Sequence, residues 1–117
     1  MSVAELHVAL HRESASRAYI QRLDVLDQSA SLLKARLYIS SELYAQVYRN
    51  DKFDTTNPAL IYNGQRIYAR DQVGGVWHRH ATSASHLHDT SVEGRRAATL
   101  AEFLDEVEAI LAAMGLP

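Results

Sequence analysis

Leu33-Lys34-Ala35-Arg36-Leu37-Tyr38-Ile39-Ser40-Ser41-Glu42-Leu43-Tyr44-Ala45-Gln46-Val47-Tyr48 decides the fold. Leu33, Ala35, Leu37 and Ile39 alternate with Lys34, Arg36 and Tyr38, and Leu43, Ala45 and Val47 alternate with Tyr44, Gln46 and Tyr48. Side chains that alternate with period two belong to strands with one buried face. The polar interruption at Ser40-Ser41-Glu42 turns the chain back, so the stretch reads as an antiparallel hairpin. Working outward, Asn63-Gly64 lies between Ala59-Leu60-Ile61-Tyr62 and Gln65-Arg66-Ile67-Tyr68-Ala69-Arg70. A type I′ turn needs positive φ at both central residues, which Asn-Gly supplies. A two-residue loop pairs Tyr62 with Gln65 and Leu60 with Ile67, which puts Ile61, Arg66, Tyr68 and Arg70 on the opposite face. Val76 to Ala81 is one more strand, and Ser16 to Leu26 fits a strand better than a helix.

Helices flank this middle. Ser2 with Glu5 and Thr99 with Glu102 both have the spacing of a capping box, in which each side chain satisfies the other's orphan backbone donor. The first predicts a helix over residues 3–12 with a narrow stripe of Val3, Leu6 and Leu10. The second opens a helix whose Leu100, Phe103, Leu104, Val107, Leu111 and Met114 recur at helical spacing and whose stop is Gly115. Glu102, Asp105, Glu106 and Glu108 on it face solvent or a basic surface. The expectation is an α+β domain over residues 1–117, an antiparallel sheet of five to six strands with an N-terminal and a C-terminal helix.

A chain of 117 residues with 47% hydrophobic and 22% charged residues suits one folded core, not a disordered or fibrous chain. A net charge of −2 excludes uniform coating of nucleic acid but leaves room for a local basic face. With no cysteine there is no disulfide, thiol nucleophile or cysteine-ligated metal site. No apolar run approaches the roughly 18–20 residues of a membrane span, and Met1 to Glu5 does not resemble a signal peptide, so a cytoplasmic protein without membrane partners is expected.

Four of the six histidines fall between residues 78 and 88: His78 and His80 on the last predicted strand, His86 and His88 on the loop from Thr82 to Ala98. Residues two apart on a strand share a face, so His78 and His80 stand together while Trp77 and Arg79 point away. Paired imidazoles suit general base and general acid roles near neutral pH. Cleavage of RNA by its 2′-hydroxyl needs such a pair and a cation on the phosphate, for which Arg79, Arg70 and Arg66 are candidates. Two other readings stay open. His78, His80, His86 and His88 suit zinc or nickel, with no cofactor needed in the acid–base case, and closely spaced histidines also occur on solvated surfaces. His7 and His11 are better explained as exposed helix positions than as chelators, and Trp77 as a sheet anchor than as a base-stacking platform.

Lys34, Arg36, Tyr38, Tyr44, Gln46, Tyr48, Arg66, Tyr68 and Arg70 share a face if the hairpins join one sheet. Cations interleaved with aromatics bind single-stranded RNA through phosphate pairing and base stacking. Tyrosine also favours strands for its own reasons, and a helix would cover the face in a purely structural account.

Leu32-Leu33-Lys34-Ala35-Arg36-Leu37-Tyr38-Ile39, Tyr44-Ala45-Gln46-Val47-Tyr48, Asn63-Gly64, Trp77-His78-Arg79-His80 and Leu100-Ala101-Glu102-Phe103-Leu104-Asp105-Glu106-Val107 together resemble the TumE-like toxin group and related small prokaryotic families. The resemblance runs from about residue 17 to residue 112. It implies a small antiparallel sheet with a C-terminal helix, and a toxin encoded beside a helix-turn-helix antitoxin that neutralises it. The group's histidine-rich segment matches His78 and His80 best, with His86 and His88 matching by proximity. Ribonuclease activity follows by analogy with other small toxins. The expected partners are RNA, that antitoxin or a second copy of the chain, against the alternative of a non-catalytic domain that binds a metal, RNA or a protein.

Overall fold

A computed structural model describes residues 1–74, 76–80 and 97–116. Helix α1 (Val3–Ser16) is followed by strands β1 (Arg22–Gln28), β2 (Leu32–Tyr38), β3 (Leu43–Asn50), β4 (Thr55–Tyr62), β5 (Gln65–Val73) and β6 (Val76–His80), and then by helix α2 (Leu100–Met114). The strands form one antiparallel sheet in the order β1-β2-β3-β4-β5-β6, so each pairs with its neighbour in sequence. The expected α+β architecture holds. No helix among the described residues is long and apolar enough to cross a membrane.

Both helices pack on one face of the sheet and on each other. Val3, Leu6 and Leu10 of α1 and Leu100, Phe103, Leu104, Val107 and Leu111 of α2 close the core over Leu33, Ala35, Leu37, Leu43, Ala45, Val47 and Leu60. Residues of β2 and β3 alternate between buried and half-buried along their whole length, as the period-two pattern requires. Both capping boxes are formed, and Gly115 ends α2 in the left-handed region at φ 68°. Asn63 at φ 51° and Gly64 at φ 77° make the β4–β5 turn type I′.

Three expectations are corrected. Helix α1 continues past Arg12 to Ser16, so the segment from Ser16 divides into a helix end, a turn and β1, which begins only at Arg22. The extension is held by Arg17, whose guanidinium meets Glu13 four residues earlier and reaches across to Asp105, Glu108 and the Ala101 carbonyl on α2. Met114 lies off the buried stripe and is 48% exposed. The third correction concerns register: Tyr62 pairs with Gln65 and Ile61 with Arg66, but Leu60 pairs with Tyr68, leaving Ile67 as an extra residue in β5. One added residue reverses the facing of everything beyond it. Tyr68 and Arg70 therefore point at the helices, while Arg66 stays on the other face.

Candidate functional site

The face of the sheet away from the helices carries Lys34, Arg36 and Tyr38 opposite Tyr48, Gln46 and Tyr44. No described element packs over it. Its side chains interlock: Arg36 bonds the Gln46 carbonyl oxygen at 3.1 Å and the Tyr38 hydroxyl at 3.1 Å and lies 4.6 Å above the Tyr44 ring. Arg22 lies 4.4 Å above the Tyr38 ring, which is 5.2 Å from the Tyr44 ring. Cation–π contacts of this kind hold the guanidinium groups over the rings and keep the lattice in place. Asn57, Ala59 and Ile61 continue the face on β4, and Arg66 and Ala69 on β5.

The same face ends at β6 in a polar cluster. Pairing of Asp71 with His78 and of Ala69 with His80 sets Asp71, His78 and His80 side by side. One ligand atom from each lies within 4.8 Å of the other two. Asp71 Oδ2 is 2.9 Å from His80 Nε2 and 3.7 Å from His78 Nε2. The rings are 5.6 Å apart and meet edge to face. On its other side His80 Nδ1 is 3.3 Å from Arg66 Nη2. A guanidinium only donates, so Nδ1 accepts, and the neutral ring carries its proton on Nε2, where Asp71 receives it. His78 is the more accessible imidazole, with its side chain 12% exposed against 3% for His80. Asp71 Oδ1 is buried with no hydrogen-bond partner among the described residues. An oxygen in that condition costs about 1–3 kcal/mol or more, since a charged acceptor has given up water without a replacement.

Of the residues singled out by the sequence, His78, His80 and Arg66 come together, and Lys34, Arg36, Tyr38, Tyr44, Gln46 and Tyr48 share their face. Three others are displaced from the assigned roles. Arg79 pairs with Arg70 across β5 and β6, on the helix side, and so stands behind the histidines. Arg70 is fully buried, its Nε 2.7 Å from Glu106 Oε1 and its Nη2 2.8 Å from Glu106 Oε2. The Tyr68 hydroxyl donates to Glu106 Oε2 at 2.9 Å, and its ring lies against Phe103. Burial, with the Glu106 carboxylate beside it, pushes the Tyr68 hydroxyl up to about 12. Neither side chain lies on the face away from the helices. The carboxylates of α2 are also committed within the chain, Glu102 to its cap, Asp105 and Glu108 to Arg17, and Glu106 to Arg70. His86 and His88 lie outside the described residues. Trp77 is half-buried and pairs with Gln72 on the helix side, in keeping with a sheet anchor.

Asp71 is the site residue that sequence reasoning missed. Spacing along one strand finds His78 and His80, whereas Asp71 reaches them across a strand pair. The Gly74-Gly75 dipeptide held the signal in the sequence, because Gly-Gly between two strand patterns reads as a two-residue hairpin loop, and the pairing of Val73 with Val76 sets residue 71 opposite residue 78. Comparison of the chain with protein-family models, with curated proteins and with solved structures returns no match.

Proposed function

We propose that the protein binds single-stranded RNA on its open sheet face and cleaves it by acid–base chemistry at the histidine cluster, as a toxin-like protein neutralised by a helix-turn-helix partner. One observation carries this reading: the cation–aromatic lattice of β2 and β3 and the Asp71, His78, His80 cluster of β5 and β6 occupy the same face of the sheet, the one away from the two described helices. From β3 to β6 is three strand spacings, about 14 Å, within the span of a short stretch of RNA backbone. Tyr38, Tyr44 and Tyr48 offer stacking surfaces, and Lys34, Arg36 and Arg66 offer charge to phosphates.

The chemistry follows from which atoms are accessible. Arg66, exposed at the turn end of β5, takes the scissile phosphate and draws it to the cluster. His78 is the imidazole that the sugar reaches first and takes the 2′-hydroxyl proton as that oxygen attacks phosphorus. His80 Nδ1, uncovered as Arg66 swings onto the phosphate, takes up a proton from solvent, and the resulting imidazolium, held at Nε2 by Asp71, gives that Nδ1 proton to the departing 5′ oxygen. Bond formation at the 2′ oxygen and bond breaking at the 5′ oxygen leave a 2′,3′-cyclic phosphate and a 5′-hydroxyl. Asp71 lies between the rings and stabilises whichever imidazolium forms.

Incubation of the purified protein with unstructured RNA in a chelator tests this. Cyclic-phosphate ends are expected, and His78→Ala or His80→Ala should slow their formation by about 10²–10⁴-fold with the circular dichroism spectrum unchanged. RNA affinity should fall with added salt, at a log–log slope of about −0.7 per phosphate contact, and fall again in Arg36→Ala and Arg66→Ala. Intact RNA after incubation with folded wild-type protein, or undiminished cleavage in a His78→Ala, His80→Ala double variant, would defeat the reading.

A further inference from the structure

We propose that Asp71, His78 and His80 also form a binding site for a divalent cation of the zinc class. The donor set is two imidazoles and a carboxylate in a chain that has no cysteine, which selects borderline ions such as zinc, cobalt or nickel over calcium and magnesium, whose sites are built from oxygens. Distances fit. Ligands about 2.0 Å from a tetrahedral ion stand roughly 3.3 Å from one another, and the 2.9 Å and 3.7 Å from Asp71 Oδ2 to the two Nε2 atoms straddle that edge. A movement of less than half an ångström would bring each Asp71 contact to that edge, and the remaining edge, between the two imidazoles, lies within 4.8 Å.

An independent observation points the same way. Asp71 is 7% exposed, and its Oδ1 has no hydrogen-bond partner among the described residues, so a buried carboxylate is left short of positive charge or donors. A cation at Oδ2 would supply that charge. The three residues also stand on paired strands, with Asp71 opposite His78 and His80 two residues along, so little chain entropy is lost on binding. The His7 and His11 pair, with rings 4.7 Å apart on α1, lacks these features, since it brings two imidazoles on an exposed helix face and no carboxylate. Metal on His80 Nε2 displaces the ring's single N–H proton, now shared with Asp71, to Nδ1. Nδ1 then needs an acceptor, so Arg66 must leave it. Metal-bound and acid–base forms are alternative states of one cluster. This site does not rest on the RNA reading, because it is read out by metal binding alone.

The test is isothermal titration of zinc and cobalt into the full chain carrying His7→Gln, His11→Gln, His86→Gln and His88→Gln, which removes the two other closely spaced pairs. Saturable binding of about one ion per chain is expected, weakened about a hundredfold or more by His78→Gln or Asp71→Asn, because loss of an outer-shell partner alone costs about 10–100-fold. No binding of either ion up to about millimolar concentration, or affinity in both variants equal to that of the parent protein, would overturn the site. Should either variant unfold, cobalt added to the intact protein decides: paramagnetically shifted imidazole resonances from His78 and His80 support the site, and unshifted ones overturn it. Loss of RNA cleavage leaves each of these readouts unchanged.

Discussion

Arg70 and Asp71 are adjacent on β5 and point to opposite faces, and their surroundings could hardly differ more. Arg70 is fully buried with Glu106 gripping it through two oxygens and Tyr68 completing the carboxylate. Asp71 is nearly as buried, yet one of its oxygens is unpartnered among the described residues, and the other is shared unequally between two imidazoles. A saturated polar group holds the fold together, because any change leaves a charge stranded. An undersaturated carboxylate carries a standing cost that is recovered only when a proton, a donor or a cation arrives. On this strand the two kinds of polar group are separated by a single peptide bond.

The largest effect expected from that contrast is on stability. Glu106→Ala leaves the Arg70 guanidinium buried without its counter-ion and should cost about 3–5 kcal/mol in denaturant unfolding. Asp71→Asn keeps an acceptor for His80 and should cost about 1 kcal/mol or less. Equal losses in the two variants would erase the distinction between a structural and a functional side of β5. A medium effect separates the two cations. Arg66→Ala should weaken RNA binding but tighten zinc binding severalfold, since the guanidinium sits on the nitrogen that must reorient and repels the ion. Titrating zinc into each variant gives the ratio, and an unchanged zinc affinity would place Arg66 outside the cluster. The smallest effect sharpens the saturated side: Tyr68→Phe removes one hydrogen bond to Glu106 and should cost about 0.5–1.5 kcal/mol. The Tyr68 hydroxyl is raised to about 12 from an ordinary value of about 10, so its contribution is whole below about pH 10 and is lost as pH climbs from there towards 12. Unfolding measured between these limits should show that loss in the wild type and less of it in Tyr68→Phe.

Legibility in the sequence followed how local each determinant is. Capping boxes, the Asn63-Gly64 turn and the alternation of Leu33 to Val47 depend on residues within a few positions, and all appear where the pattern places them. The bulge at Ile67 depends on which β5 residues fit beneath α2, namely Tyr68 against Phe103 and Arg70 against Glu106, and no alternation rule contains that information. It turns Tyr68 and Arg70 away from the face that strict alternation assigns them. Arg79 alternates with His78 and His80 in the sequence and so faces away from them, which strand geometry alone is enough to set against a role on the same phosphate. Asp71 was unread because acidic residues are common on strand ends and only the cross-strand pairing distinguishes this one.

Consider finally the order in which the chain is made. Each strand pairs with the one just before it, so the sheet can assemble by short-range zipping as the polypeptide lengthens. Arg70 is then laid down 36 residues ahead of Glu106, with its charge on the apolar side of a nearly finished sheet. Through that interval the half-built protein holds a solvated cation where its core must close. Arrival of α2 is therefore the event that dries the interior, and until then water is retained on the helix side by the residue that later fastens it shut.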